Sequence, residues 1–196
     1  VWKQPEMRLC SFEEQALGAS RQVKAAYDLP QADAKLTLTY TLTPTGKLIV
    51  EQQLTVNPDA AQKPVLPRFG MTLVMPEQYG QIAYYGRGPV ENYSDRHASA
   101  FLGYYETDVK SQYWPYIRPQ ESGNHTDVRW WGVYDGATGC GLKFYGPDPL
   151  EMASLPYLTA DLDGGDVKDA QQMHSGDLQP RPFTVVHIAQ RQMGLG

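Results

Sequence analysis

No stretch of this sequence repeats its apolar residues with the 3.6-residue period of a helix. Fifteen prolines punctuate the 196 residues and leave no uninterrupted segment long enough for one. Only Ser11 to Ala19 is expected to form a short helical turn. Cysteine is scarce: Cys10 and Cys140 supply neither a disulfide framework nor a Cys-x-x-Cys metal site, and both are expected as unpaired core thiols. Basic residues are outnumbered, 17 Lys and Arg against 22 Asp and Glu, for a net charge of -5. Nucleic acid, which demands a basic face, is excluded as a partner on that ground. Apolar runs fall far short of the ~20 residues needed to cross a bilayer, so no membrane partner is expected. No apolar stretch follows Val1-Trp2-Lys3 as a signal peptide would require. The histidines His97, His125, His174 and His187 lack the spacing of a zinc site, and no metal ligand is assigned.

Strand patterns are abundant instead. Lys35 to Leu42 alternates apolar and polar residues almost without fault, the period of a half-buried strand, and Arg21 to Tyr27 does so more weakly. Pro44-Thr45-Gly46 turns the chain back into Lys47 to Val56, giving a hairpin. A further strand runs from Arg68 to Met75 and stops at Pro76. A second hairpin joins Asp127–Tyr134 to Cys140–Tyr145 around Asp135 to Gly139, with Gly139 suited to the left-handed position of a bulged loop. The chain therefore reads as all-β, two antiparallel sheets packed as a sandwich, in a single domain over residues 1–196.

Polar chemistry concentrates in two places. Tyr85-Gly86-Arg87-Gly88-Pro89-Val90-Glu91-Asn92-Tyr93-Ser94-Asp95-Arg96 places a carboxylate, an amide and an Asp-Arg pair after a Gly-x-Gly-Pro bend. Glu91 with Asp95, and Glu106 with Asp108, are the obvious carboxylate pairs for retaining glycoside hydrolysis, which needs two about 5–5.5 Å apart. Arg96 and the N–H groups of the bend should hold Glu91 at a low pKa, which suits a brace better than a general acid. The second place is the loop from Arg118 to Arg129, stiffened by Pro119 and bent at Gly123. Its Glu121, Asn124, His125 and Asp127 offer the donors and acceptors that sugar hydroxyls pair with, or they belong to an ordinary surface loop. Asp161-Leu162-Asp163-Gly164-Gly165-Asp166 lacks the later glutamate of a calcium loop and reads as a solvated turn. Most aromatics fall between Tyr79 and Tyr145, several as adjacent pairs that send one ring inward and one outward. Such rings stack on pyranoses or simply fill a core or an interface.

Four segments, in order, resemble one known family. Leu66-Pro67-Arg68-Phe69-Gly70 is similar to its Pro-Arg-x-Gly strand start. The Tyr85–Arg96 run matches its most distinctive motif. Tyr116 to Trp130 resembles its Pro-Tyr-x-x-Pro-(Gln/Ser)-Glu-(Asn/Ser)-Gly loop with the strand after it. Gln192-Met193-Gly194-Leu195-Gly196 looks like the start of its Met-Gly-x-Gly-Gly-Asp-x-Ser-Trp segment. By these motifs the chain resembles the domain that follows the catalytic barrel in the large β-galactosidases of glycoside hydrolase family two, also called domain five or the small chain. The resemblance runs from residue 66 to the end, while the first sixty-five residues agree mainly in strand pattern.

The resemblance implies a supersandwich similar to galactose mutarotases. It implies an accessory C-terminal domain that lends a loop to the galactoside pocket while the barrel of the same chain hydrolyses the bond. The acid/base and nucleophile lie in that barrel, so no catalytic residue is assigned here and the isolated fragment is expected to be inactive. Magnesium and sodium are bound by other domains of such parents, so this chain is expected to hold no cofactor. Gly123 looks like the glycine of the loop bordering the pocket, and Glu121, Gly123, Asn124, His125 and Arg129 are the candidate substrate-binding residues. Expected partners are a β-galactoside sugar, the barrel, and further copies in a homo-oligomeric parent. The family's Trp lies beyond Gly196, so the chain is expected to be a fragment trimmed at both ends. Bacterial cytoplasm and periplasm both remain open as the compartment, with cytoplasm slightly preferred. A self-sufficient carbohydrate-binding module and a purely structural interdomain or oligomer-interface sandwich are the alternatives.

Overall fold

Alternating residues form strands along nearly the whole chain, and the cross-strand partner decides each element more than local propensity does. The structure is a computed structural model that describes residues 2, 5–59, 66, 68–116, 121–162 and 178–192. The chain is organised as two compact units, Val1–Leu66 and Pro67–Gly196.

The first unit is a meander of four antiparallel strands in the order β1-β2-β3-β4: β1 Arg8–Leu17, β2 Ser20–Leu29, β3 Ala34–Leu42 and β4 Leu48–Val56. The hairpin expected around Pro44-Thr45-Gly46 is the β3–β4 pair, with Leu36 opposite Leu54 and Leu42 opposite Leu48. Register sorts the faces. Phe12, Ala25 and Leu38 fall in one cross-strand row, and Glu13, Lys24, Thr39 and Glu51 in the row beside it. A small core gathers Leu29, Ala32 and Ala34 under Tyr27, Leu36 and Leu54. The helical turn expected over Ser11 to Ala19 does not form. That segment is β1, paired along its length with β2, and Gln15 Nε2 donates to Gln22 Oε1 at 2.6 Å. Cys10 is the extra residue of a bulge between Leu9 and Ser11, so it is exposed rather than buried in a core.

The second unit is a sandwich. One sheet has the order β10-β9-β6-β7, from β6 Gln81–Gly88, β7 Phe101–Asp108, β9 Trp130–Tyr134 and β10 Gly141–Phe144. The other has the order β5-β12-β11-β8, from β5 Arg68–Pro76, β8 His125–Val128, β11 Leu150–Leu155 and β12 Phe183–Gln192. Both contribute to one core: Ile82, Tyr84, Trp131 and Val133 from the first, Met75, Val128, Met152 and Val186 from the second. Tyr84 stacks on Trp131 with ring centroids 4.6 Å apart, and Trp131 Nε1 donates to Ser154 Oγ at 3.0 Å, joining the layers. Adjacent aromatics divide as their alternation requires. Tyr84 and Trp131 are buried, while Tyr85 and Tyr104 face outward beside Trp130.

Two sequence readings need correction in this unit. The strand expected over Asp127–Tyr134 is broken at Arg129, and its halves, β8 and β9, belong to different sheets. Asp127, at φ 54°, leaves the extended region inside β8, where the pairing with β11 shifts register between Leu150 and Met152. Cys140 precedes β10 and is exposed, so it is no core thiol either. The second hairpin does form, with Gly139 at φ 69°. The helical content is one four-residue helix, α1 Thr159–Leu162, and two three-residue 3-10 turns, at Pro30–Ala32 and Lys110–Gln112, among the described residues.

Trp131 fills the centre of the sandwich and ties its two layers, so Trp131→Ala is expected to destabilise the second unit by about 3–5 kcal/mol. Urea unfolding measures this, and a loss below about 1 kcal/mol would contradict the packing described.

Candidate functional site

At the end of β6 the chain turns through a cis Gly88–Pro89 bond into the polar corner. The glycines of this motif are there for close approach, not for unusual backbone angles, since neither has a positive φ. A Cβ on Gly86 would lie 3.0 Å from Val128 Cα, and one on Gly88 would run into the Tyr84 hydroxyl and the Tyr105 ring. The packing of β6 against β8 therefore requires Gly86, and the space taken by the Tyr84 and Tyr105 side chains requires Gly88.

Asn92 organises the corner. Its Nδ2 donates to the carbonyls of Arg87 and Val90, both at 3.0 Å. Its Oδ1 accepts from the Thr126 N–H at 2.9 Å and the Thr126 hydroxyl at 2.6 Å. Its backbone N–H donates to the Asn124 carbonyl at 2.7 Å, and its carbonyl accepts from Asn124 Nδ2 at 3.0 Å. All four side-chain valences of this buried amide are thus filled, which fixes corner and loop as one piece. Glu91 adds a charged tie: Oε2 accepts from the Gly123 N–H at 2.5 Å, and Oε1 from Arg96 at 3.0 Å. Arg87 Nε donates to Asp127 Oδ2 at 2.5 Å on the far side of the loop.

Each candidate residue can now be placed. Glu121 pairs with Arg68 of β5, both side chains largely buried. Gly123 has φ 76°, and a Cβ there would lie 2.9 Å from the Gln112 carbonyl oxygen, so the loop is shaped for glycine. Asn124 is buried, and its Nδ2 also reaches Glu151 Oε2 at 3.2 Å. His125 is buried, with Nδ1 2.9 Å from the Arg87 carbonyl and Nε2 2.7 Å from the Gln112 amide. Because a carbonyl only accepts, Nδ1 carries the proton. Nε2 faces Gln112 Oε1, while Gln112 Nε2 donates to Thr107 Oγ1 at 3.1 Å, so a neutral ring requires this amide to turn over and present its N–H group. Arg129 is exposed, and its backbone N–H donates to the Tyr85 carbonyl at 2.7 Å. The fold gathers Gly123, Asn124 and His125 against the corner and places Glu121 over β5, whereas Arg129 lies beyond them with its side chain in solvent. Arg118 to Gln120, His174, Asp163 to Asp166 and Met193 to Gly196 lie outside the described residues.

Burial dominates the electrostatics. The Glu91 carboxyl is raised, not lowered as its partners suggested, because desolvation outweighs the Gly123 N–H and Arg96. His125 is pushed down to about 4 by burial. His187, a packed residue of β12 as expected, is also pushed down to about 4, by burial and then by the Arg68 charge beside it. Arg68 Nη1 and Thr72 Oγ1 both lie 3.2 Å from His187 Nδ1. The other carboxylates also act as braces. Glu106 accepts from the Tyr104 hydroxyl, Asp108 from the Ser111 N–H at 3.0 Å, and Asp161 from Arg181, which lowers its pKa. Asp95 is exposed at the turn. Among the described residues no group of three His, Cys, Asp or Glu could hold a metal ion, and no helix is long and apolar enough to cross a membrane.

Sequence reasoning did not single out Asn92, Gln112 or Arg68 as organising residues. The signal for Asn92 was present, an amide one residue after a carboxylate in a Gly-Pro bend. Nothing local marks Gln112, while Arg68 stood out only as the arginine of the Pro-Arg-x-Gly strand start.

The whole chain, residues 1–196, matches the family model described as beta galactosidase small chain. This chain belongs to the β-galactosidase small chain family. It is 37% identical over 175 residues to a β-galactosidase of Lactobacillus delbrueckii subsp. bulgaricus, covering 89% of this chain and 16% of the relative. A β-galactosidase of Priestia megaterium is 36% identical over 159 residues, 81% of this chain and 14% of the relative. One from Streptococcus thermophilus is 33% identical over 180 residues, 90% of this chain and 16% of the relative. The small chain thus spans about one sixth of the length of these relatives.

The two buried histidines predict a loss of stability in acid. In an unfolded chain they titrate near 6.5, so below that pH the unfolded state takes up protons that the folded state refuses. Stability present above pH 6.5 is lost as pH falls toward 4, by about 3 kcal/mol for each ring. Glu91, raised when folded, works in the opposite sense. Thermal melts from pH 7 to 4.5 are expected to show a falling Tm, with a shallower decline in His187→Gln; a flat Tm would exclude neutral buried rings.

Proposed function

We propose that this chain is the accessory small-chain region of a β-galactosidase and that residues 1–196 serve its parent as one domain. Glycosidic hydrolysis is performed by a catalytic barrel elsewhere in the parent. The observation that carries this reading is the match of the whole chain to the small-chain family, together with relatives named β-galactosidase that extend far beyond it. The described carboxylates point the same way: Glu91, Glu106, Asp108, Glu121 and Asp161 each engage a cation, an amide or a hydroxyl rather than opening as a pair onto a cleft. On this reading the substrate is a β-galactoside, the metals of the parent sit in other domains, and the parent is a homo-oligomer.

Within that role, the loop from Glu121 to Arg129 borders the galactoside pocket of the assembled enzyme. Gly123, Asn124 and His125 hold its shape through their inward bonds, Glu121 anchors its start on Arg68, and Arg129 is its exposed polar side chain. Support comes from the loop's rigidity, since four hydrogen bonds from Asn92 to Asn124 and Thr126 and the Glu91–Gly123 bond tie it to the corner before any ligand arrives.

Gly123→Ala in the intact parent forces a side chain into a left-handed position against the Gln112 carbonyl. It is expected to raise KM for a nitrophenyl β-galactoside about tenfold; unchanged kinetics would remove the loop from the pocket. An NMR titration of the isolated chain with galactose, lactose and glucose separates this reading from a self-sufficient sugar-binding module. No shifts are expected up to high millimolar sugar, and galactose-selective shifts around Glu121 to Arg129 would favour the module.

A further inference from the structure

The loop that carries Gly123 is tied to the corner by neutral and charged bonds, and the two kinds do different work. The Asn92 bonds are buried and serve the interior. The Glu91 bond is made to the loop backbone at its sharpest point, where φ is 76°. Its carboxylate uses one oxygen for the Gly123 N–H and the other for Arg96. Arg96 is held in turn. It donates to the Tyr116 hydroxyl at 2.6 Å, and its guanidinium carbon lies 5.2 Å from the Tyr93 ring centroid and 5.5 Å from that of Tyr116. The Glu91 side chain is 13% exposed and that of Arg96 55%, so the latch has a dry end on the loop and a wet end in solvent.

We infer that Glu91 is the positioning residue of this loop, setting the Gly123 turn through its amide, with Arg96 fixing the carboxylate. The inference rests on the reading that the loop borders the galactoside pocket. Charge-assisted bonds to backbone N–H groups are about twice as strong as neutral ones. A carboxylate is also required by count: two separate donors, an amide and a guanidinium, each need an oxygen. Glutamine at this position has one acceptor oxygen and must aim its own N–H group at one of those donors. Removal of the side chain leaves the Gly123 N–H without its partner while the Asn92 bonds still hold the corner, so the turn relaxes without emptying the core.

The test is a comparison of Glu91→Ala, Glu91→Gln and Gly123→Ala in the full-length parent, with kcat and KM for a nitrophenyl β-galactoside expressed per folded enzyme. Glu91→Ala is expected to raise KM about tenfold, with Glu91→Gln between it and the unmodified enzyme. A merely structural role would lower the yield of folded enzyme and leave KM where it was. If Gly123→Ala raises KM and Glu91→Ala does not, the loop matters but does not hang on Glu91, and the inference is overturned. If neither moves KM, the pocket reading itself fails and takes the inference with it. Should Glu91→Ala not fold, Glu91→Gln decides by the same split. In the isolated chain the Gly123 amide proton is then expected upfield of its unmodified position. An amide shift and KM both unmoved in Glu91→Gln would overturn the inference.

Discussion

Asn92 holds together three segments: the end of β6, the bend after Pro89, and the first residues of β8, which Arg87–Asp127, Arg87–His125 and Glu91–Gly123 bonds also join. Its bonds to Thr126 are buried inside the sandwich. Burying such groups unpaired costs about 1–3 kcal/mol each, so the amide makes the difference between a packed corner and an open one. Everything described at the candidate site, from the Gly123 turn to the neutral His125 ring, follows from this corner being closed.

Closure also explains the electrostatics. A carboxylate beside an arginine is expected to be acidic, yet Glu91 is pushed up, because the same packing that brings Gly123 and Arg96 to it takes away solvent. The histidines show the rule from the other side, since both rings are driven neutral by burial. Pairing and desolvation compete wherever a polar network sits under a loop, and here desolvation prevails at the glutamate and at both rings.

Strands β2, β3 and β4 of the first unit and the second hairpin were legible because alternation records which face is buried. Lys35 to Leu42 shows this cleanly in β3. Ser11 to Ala19 was not legible, since its polar residues carry no period and its strand character comes from β2 alongside it. The break at Arg129 was hidden for a different reason: the β pattern is unbroken there, and only the pairing of its halves with different partner strands divides it between two sheets. At the site, sequence marked the right stretches but not the contacts. Glu91 was read as a brace, and it is one, but its partner Gly123 lies thirty-two residues away. The paired glycines were noticed for their freedom, whereas their use is to let β6 lie against Val128 and beneath the Tyr84 hydroxyl.

The strand that changes sheets at Arg129 has a mechanical meaning. In a sandwich whose layers are joined only by side-chain packing, one sheet can slide over the other at the cost of rearranging rotamers. Here a single residue carries the covalent chain from β8 in one layer to β9 in the other, and its N–H is clamped to the Tyr85 carbonyl. Shear between the layers is therefore resisted by the backbone itself at that point, as by a rivet. Strain imposed on one sheet is transmitted to the other through that residue.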